Sequence, residues 1–186
     1  LSTATPIKTL EGKFVVASEE LYFYVTNRLE GKQLKASTMY IEDYMPKARF
    51  IGEIVGQLSV ALSKVEVITN QANIFKSAKE WAIPALSGKM DLPKSFVEMY
   101  EKEFGEIYES LPQQIIHRDP NPGNIILYGD NWGVLDFDLS ERNIRIFDPC
   151  YAATAILSES FEADNTDKLN QWIIIYKNIL YGYDEV

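Results

Sequence analysis

The sequence predicts an α+β fold, and three observations carry that prediction. Short alternating apolar segments open the chain between Phe14 and Thr26, and a helical apolar period takes over from Phe50. Between the helical stretches, an apolar strand, a polar loop and a hairpin follow one another from Ile115 to Asp138. At 186 residues, 46% of them apolar, the chain is long enough for a compact domain with a substantial core.

Taken in order, Phe14 to Ala17 reads as a first strand. Leu21 to Thr26 reads as a second, because Leu21, Phe23 and Val25 alternate with Tyr22, Tyr24 and Thr26. Ser18-Glu19-Glu20 supplies the hairpin turn. Asn27 to Lys35 is polar and contains Gly31, so it reads as a connection leaving the small sheet, and a boundary is expected between 1–30 and 31–186. From Phe50, the residues Ile51, Ile54, Val55, Leu58, Leu62 and Val65 share one face of a buried helix. Thr69 to Asp91, with Trp81, Pro84 and Gly88, has weak periodicity and reads as a loop-rich or short-helix excursion; Trp81 is expected in the core or as a loop anchor. A further helix starts near Pro93-Lys94-Ser95, with Val97, Tyr100, Phe104 and Ile107 inward and Glu98, Glu101 and Glu103 toward solvent. Asp148-Pro149 opens a helix through Ala153, Ile156 and Leu157. Leu169 to Tyr181 forms the last, with Trp172, Ile173, Tyr176, Ile179 and Leu180 as its stripe; Trp172 and Tyr176 are assigned to packing.

Composition excludes several function classes. The formal charge of −9, with no run of Lys and Arg, argues against a nucleic-acid surface and favours a small or cationic substrate. No apolar stretch is long enough for a membrane span, so no membrane partner is expected and the protein is expected to be soluble. The single cysteine, Cys150, has no internal disulfide partner and belongs to no metal-ligand spacing. It reads as a buried structural thiol in a reducing interior such as the cytoplasm, and a structural zinc site is not expected. Oligomeric state has no signature in the sequence.

The chemistry concentrates in Ile115-Ile116-His117-Arg118-Asp119-Pro120-Asn121-Pro122-Gly123-Asn124, a turn at Gly129-Asp130-Asn131, and Val134-Leu135-Asp136-Phe137-Asp138. Two prolines and a glycine hold the loop in a non-helical path, so Asp119 and Asn124 converge although five positions separate them. The hairpin then returns Asp136 to the same place. Two carboxylates and a carboxamide offer hard oxygen ligands suited to Mg²⁺. Phosphoryl transfer needs such a set, with the metal on the phosphate oxygens and a separate carboxylate receiving the proton of the attacking hydroxyl.

His117-Arg118-Asp119 with Asn124, and Asp136 beyond the hairpin, resembles the kinase catalytic loop and metal-binding Asp. Asp136-Phe137-Asp138, Asp148-Pro149 and the lack of an Ala-Pro-Glu segment make the chain resemble the aminoglycoside phosphotransferase and choline kinase superfamily more than protein kinases. The resemblance implies a protein-kinase-like fold: mainly the helical C-terminal lobe with a catalytic-loop hairpin, plus a remnant of the N-terminal nucleotide-binding lobe. It implies Asp119 as catalytic base, Asn124 and Asp136 as magnesium ligands, and Asp138 as a subsidiary ligand to a second metal. His117 becomes a loop scaffold with Arg118, and surface or salt-bridge roles are preferred over phosphate contact for Arg118 and Arg142. Thr26-Asn27-Arg28-Leu29 becomes the hinge, where main-chain groups near Asn27 and Leu29 hold the adenine of ATP or another nucleoside triphosphate.

The resemblance covers the chain from about Phe14 onward and begins midway through the smaller lobe. Neither a glycine-rich flap nor a strand Lys is found before Phe14, where Lys8 and Lys13 read as solvated-turn residues, so a fragment of a larger enzyme is expected. Ala152 stands where the family commonly has an Asp that ties down the loop, which puts loop rigidity in question. The function implied is ATP-dependent transfer of the γ-phosphate to a hydroxyl of an aminoglycoside, choline or homoserine-like acceptor. Two rival readings are a catalytically silent kinase-like module that binds a nucleotide or partner, and a phosphohydrolase using the same Asp and Asn ligands.

Overall fold

A computed structural model of the chain describes residues 2–129, 131–160, 162 and 165–186. Five very short strands come first: β1 (Ser2–Thr3), β2 (Pro6–Ile7), β3 (Val16–Ser18), β4 (Leu21–Phe23) and β5 (Val25–Thr26). β3 and β4 form a hairpin in which Ser18 faces Leu21, leaving Glu19 and Glu20 as the turn. Glu19 takes a left-handed φ of 54° to close it. The first expected strand thus begins at Val16 rather than Phe14. The second is interrupted at Tyr24, because β4 pairs with β3 while β5 pairs with β2. Alternation runs through that break unchanged, so only the change of partner reveals it. β1 and β2, ahead of Phe14, are too short to show a period in sequence.

β6 (Lys32–Gln33) leads into a 3₁₀ turn at Ala36–Tyr40 that buries Ala36 and Met39. α1 (Tyr44–Leu62) begins ahead of Phe50, and Pro46 sits in its first turn, where a missing N–H costs nothing. Ile51, Ile54, Val55, Leu58 and Leu62 are buried as expected; Val65 lies past the helix end and is exposed.

The excursion at 69–91 is more regular than its sequence suggests. α2 (Ile74–Ser77), a π turn at Ala78–Ala82 and α3 (Ile83–Ser87) form one helical run, which Asn73 caps by accepting the Lys76 N–H at 2.8 Å. Trp81, expected in the core or as an anchor, is 74% exposed. α4 (Lys94–Met99), a second π turn at Tyr100–Phe104 and α5 (Gly105–Tyr108) likewise join end to end. The π turn accommodates one extra residue and rotates everything after it by about 100°. The inward stripe therefore ends on buried Tyr108 instead of Ile107, which is 50% exposed. Rings of Phe75, Tyr100, Phe104 and Tyr108 pack at centroid distances from 5.2 to 6.0 Å.

β7 (Gln113–Ile116), β8 (Ile125–Tyr128), β9 (Asn131–Val134) and β10 (Glu141–Ile144) complete the strands. One sheet has the order β1-β9-β8-β6, and β7 pairs antiparallel with β10. Tyr128 faces Asn131 at the end of the β8–β9 hairpin, where Gly129 has φ 56°; Asp130, the middle residue of the expected turn, lies outside the described residues.

α6 (Phe147–Ser160) and α7 (Thr166–Asp184) close the fold. α7 packs on α1 with almost no spacing. A Cβ at Gly52 would collide with the Ile179 carbonyl, and one at Gly182 with the Arg49 carbonyl, so glycine permits the approach. Trp172 and Tyr176 do pack: the indole donates to the Ala153 carbonyl at 2.7 Å, and the Tyr176 hydroxyl meets the Cys150 thiol at 3.3 Å. Ile173 is 40% exposed and Ile175 fully buried, the reverse of the expected stripe. Ile173, Ile174 and Ile175 are identical in hydropathy, and contact with α1 selects among them.

Candidate active site

The polar loop between β7 and β8 is held from three sides. His117 is fully buried; its Nε2 meets the Leu135 carbonyl at 2.8 Å, and its Nδ1 accepts the Asp119 N–H at 3.3 Å. Because a carbonyl only accepts, the ring proton sits on Nε2. The ring also packs on Phe137 at 4.6 Å, so His117 ties the loop to the residues that follow β9. Arg118 adopts a left-handed φ of 73°, a strained conformation for a non-glycine residue. Its guanidinium lies 3.4 Å from the buried Glu141 carboxylate, in keeping with a salt-bridge role.

Asp148 holds the strained segment in place. Its two carboxylate oxygens accept the N–H groups of His117 and Arg118, each at 2.9 Å, and the side chain is 1% exposed. Burial pushes this carboxyl above the ordinary aspartate value, while the two N–H bonds pull the other way. The rigidity placed in question at Ala152 is thus supplied one turn earlier by Asp148. Ala152 itself is buried in the apolar core.

At the loop's apex, Asp119 is pinned through both oxygens. Asn121 Nδ2 donates to Oδ1 at 2.8 Å, and Asn124 Nδ2 donates to Oδ2 at 3.2 Å and to the Asp119 carbonyl at 2.9 Å. With its nitrogen so engaged, Asn124 retains its amide oxygen as a ligand atom. The Leu135 N–H donates to the Asn124 carbonyl at 2.9 Å, which sets Asp136 next in line across the hairpin. Asp136 is exposed and also left-handed, with φ 64°. Asp138 accepts a hydrogen bond from the Tyr24 hydroxyl at 3.2 Å. The Asp138 charge, with that hydrogen bond, raises the Tyr24 phenol above its usual value, and Asp136 adds to the effect.

Among the described residues, no group of three or more His, Cys, Asp and Glu side chains is close enough to hold a metal ion. The hard oxygen donors offered by the two joined segments are the Asn124 amide oxygen and, one residue past the Leu135 link, the Asp136 carboxylate. Two hard oxygens fit a magnesium-like ion, which keeps waters and takes substrate phosphate for its remaining positions.

Asn27 and Leu29 sit differently from one another. The Asn27 N–H donates to the Thr5 carbonyl at 3.1 Å, and its side-chain oxygen accepts the Thr5 N–H, so its main-chain donor is already engaged while its carbonyl stays available to a ligand. Leu29 and Glu30 line a cleft of about 250 Å³ with Ile126, Tyr128, Asn131, Trp132 and Gly133. Alternation along β8 sends Ile125 to the core and leaves Ile126 and Tyr128 for this cleft.

A second cleft, of about 320 Å³, opens beside the loop between Asn121 and the outer face of α6, where Tyr151, Thr154, Ala155, Ser158 and Glu159 line it. Burial raises the Tyr151 phenol above its ordinary value, and the negative charge of Asp119 adds to the effect. Sequence reasoning missed Tyr24, Tyr151 and the carboxylate role of Asp148. The Asp-Pro pair was a signal, but it read as a helix start, since nothing local says that its oxygens face a loop thirty residues back.

The family model described as a phosphotransferase enzyme family matches residues 6–176. None of the curated proteins matches the chain. Similar solved structures include an amicoumacin kinase in complex with AMP-PNP, Ca²⁺ and Ami, with a TM-score of 0.64 and 13% identity over 100% of this chain and 57% of that one. A microcompartment-associated aminopropanol kinase superposes with a TM-score of 0.57 and 13% identity, over 100% of this chain and 59% of the other. A choline/ethanolamine kinase family protein from Mesorhizobium loti gives 0.56 and 16%, over 97% and 55%. At these identities the likeness shows the fold, and the chain spans 57% of the length of the first of these structures. With the family match covering most of its length, the chain belongs to the phosphotransferase enzyme family.

Proposed function

We propose that the protein transfers the γ-phosphate of a nucleoside triphosphate to a hydroxyl of a small molecule, with Asp119 as the base. One observation carries the reading: the Asp119 carboxylate is fixed through both oxygens by Asn121 and Asn124, and the Asn124 main chain is joined to the hairpin that bears Asp136. A fixed carboxylate receives a hydroxyl proton with little reorganisation. A divalent cation bound by Asn124 and Asp136 supplies charge neutralisation for the phosphate oxygens, with Asp138 as a subsidiary ligand. His117, Arg118 and Asp148 hold the loop without touching substrate.

In this reading residues 1–30 belong to the nucleotide-binding lobe and 31–186 to the catalytic lobe. The Leu29 cleft receives the base of ATP or another triphosphate against Ile126 and Tyr128. The α6 cleft receives the acceptor, whose hydroxyl then lies near Asp119. The net charge of −9 and Glu159 at the rim favour a cationic acceptor such as an amino alcohol or aminoglycoside. Names of the structural neighbours, an aminopropanol kinase and a choline/ethanolamine kinase family protein, support the same class.

The test is triphosphate consumption by the full-length protein against choline, ethanolamine, homoserine and aminoglycosides. Asp119→Asn is expected to lower kcat by about 10²- to 10⁴-fold, the usual contribution of a general base, while leaving nucleotide affinity intact. An unaffected variant, or no acceptor that stimulates turnover, would refute the assignment.

A further inference from the structure

The base has a cationic neighbour along the chain that is bonded elsewhere. Arg118 directly precedes Asp119, and a guanidinium beside a carboxylate ordinarily pairs with it through two hydrogen bonds. Here the Asp119 oxygens are held by neutral carboxamides instead, Asn121 on Oδ1 and Asn124 on Oδ2. Arg118 Nε lies 3.4 Å from Oε1 of Glu141, on β10. Glu141 is only 7% exposed, and a carboxylate so buried is costly unless it is paired. Asn143, also buried, donates to the same Oε1 at 3.0 Å, while its own side-chain oxygen accepts the Ile144 N–H at 2.8 Å. The strand beneath is fixed as well. Glu141 faces Ile116 in the register with β7, the Arg142 N–H donates to the Asn70 carbonyl, and the Arg142 carbonyl accepts the Ala72 N–H. A buried acid with a set position thus holds the cation that stands next to the base.

We propose that Glu141 is a positioning residue that keeps the Arg118 guanidinium off Asp119, and so leaves the carboxylate open to the proton of the acceptor hydroxyl. The inference rests on the phosphotransferase reading above. The Arg118 side chain is 46% exposed, so packing does not cage it and the charge that holds it sets its direction. Without the Glu141 charge, the nearest anion along the chain is Asp119. A guanidinium released onto Asp119 would compete for the oxygen that takes the proton, and its charge-assisted bonds are stronger than those of the two neutral carboxamides. Asp148 and Glu141 therefore have different tasks: the first restrains the Arg118 main chain, the second its charge.

The experiment measures kcat and KM of the full-length protein with Mg-ATP and each of choline, ethanolamine, homoserine and an aminoglycoside, in variants at 118 and 141. Glu141→Gln keeps the shape and removes the charge. It is expected to lower kcat about tenfold, the size of one competing charge-assisted hydrogen bond, and to leave the nucleotide KM unchanged. Glu141→Asp keeps the charge and alters the shape, and should be the more active of the two. Adding Arg118→Gln to Glu141→Gln should recover most of the lost rate, because no guanidinium is left to occupy the base. If Glu141 merely braced the strand, the shape-preserving variant would be the better one and the second substitution would lower the rate further. Should Glu141→Gln melt early, Glu141→Asp is measured with and without Arg118→Gln under the same criterion, since its shorter arm holds the guanidinium less well. A double variant no faster than its single parent, or Glu141→Gln with the wild-type kcat, overturns the inference while leaving the transferase reading intact. A wild-type protein that turns over no nucleotide with any acceptor overturns both.

Discussion

At the scale of single residues, strain and its restraint go together. Arg118 and Asp136 both occupy left-handed backbone, each costing on the order of 1–3 kcal/mol, and both flank groups assigned to the reaction. The restraint on Arg118 is Asp148, whose oxygens satisfy two backbone donors that would otherwise be buried without partners. Asp148→Asn keeps the shape but replaces one acceptor by a donor facing an N–H. It should destabilise the protein by about 1–3 kcal/mol in urea unfolding. Transfer should fall more than stability does, because the loop carrying Asp119 loses its clamp. The pH dependence has a definite sign. The folded Asp148 carboxyl is raised, so the native state binds its proton more tightly than the unfolded chain does. The stability it contributes is complete below the ordinary aspartate value and declines as pH rises through the raised one. The difference between wild type and Asp148→Asn should therefore be larger in acid than at neutral pH. None of this is written in the pair Asp148-Pro149, which locally says only that a helix can begin.

At the scale of elements, the α1–α7 contact depends on absent side chains. Gly52 and Gly182 let two nineteen-residue helices meet backbone to backbone, beside buried Ile51, Ile54, Val55, Ile175 and Ile179. Gly182→Ala puts a methyl group onto the Arg49 carbonyl, which cannot yield without moving α1. Thermal and urea unfolding should show a loss of about 1–3 kcal/mol, although alanine is the better helix former. The helical period made α1 legible because its apolar positions are separated by polar ones. It misjudged α7, where three consecutive isoleucines carry no phase, and the helix at 94–108, where a π turn shifts the phase midway. The β8–β9 hairpin was legible in its strands and turn, since short-range pairing decides it.

At the scale of the whole molecule, burial is uneven. Ile7, Phe14, Val15, Val16, Leu21, Tyr22, Phe23, Tyr24 and Val25 are each 46–77% exposed, whereas the helical part encloses the contiguous core. The hydrogen bond from Tyr24 to Asp138 is a side-chain link between this first sheet region and the segment that follows β9. Hydrogen exchange on the chain should then show amides of 6–26 exchanging well before those of α1 and α7, since few buried contacts protect them. Equal protection would contradict the packing described. Across this molecule, the sequence alone determined the course of the loop and hairpin: proline, glycine and a two-residue period constrain the path from His117 to Asp138 over short distances. Tertiary structure alone decided that Asp148 clamps the loop, that Tyr151 lines a cleft with Asn121, that Tyr24 engages Asp138 and that Ile175 rather than Ile173 turns inward. Those outcomes depend on contacts between positions roughly 30 to more than 100 residues apart, and no local period or turn preference encodes such contacts.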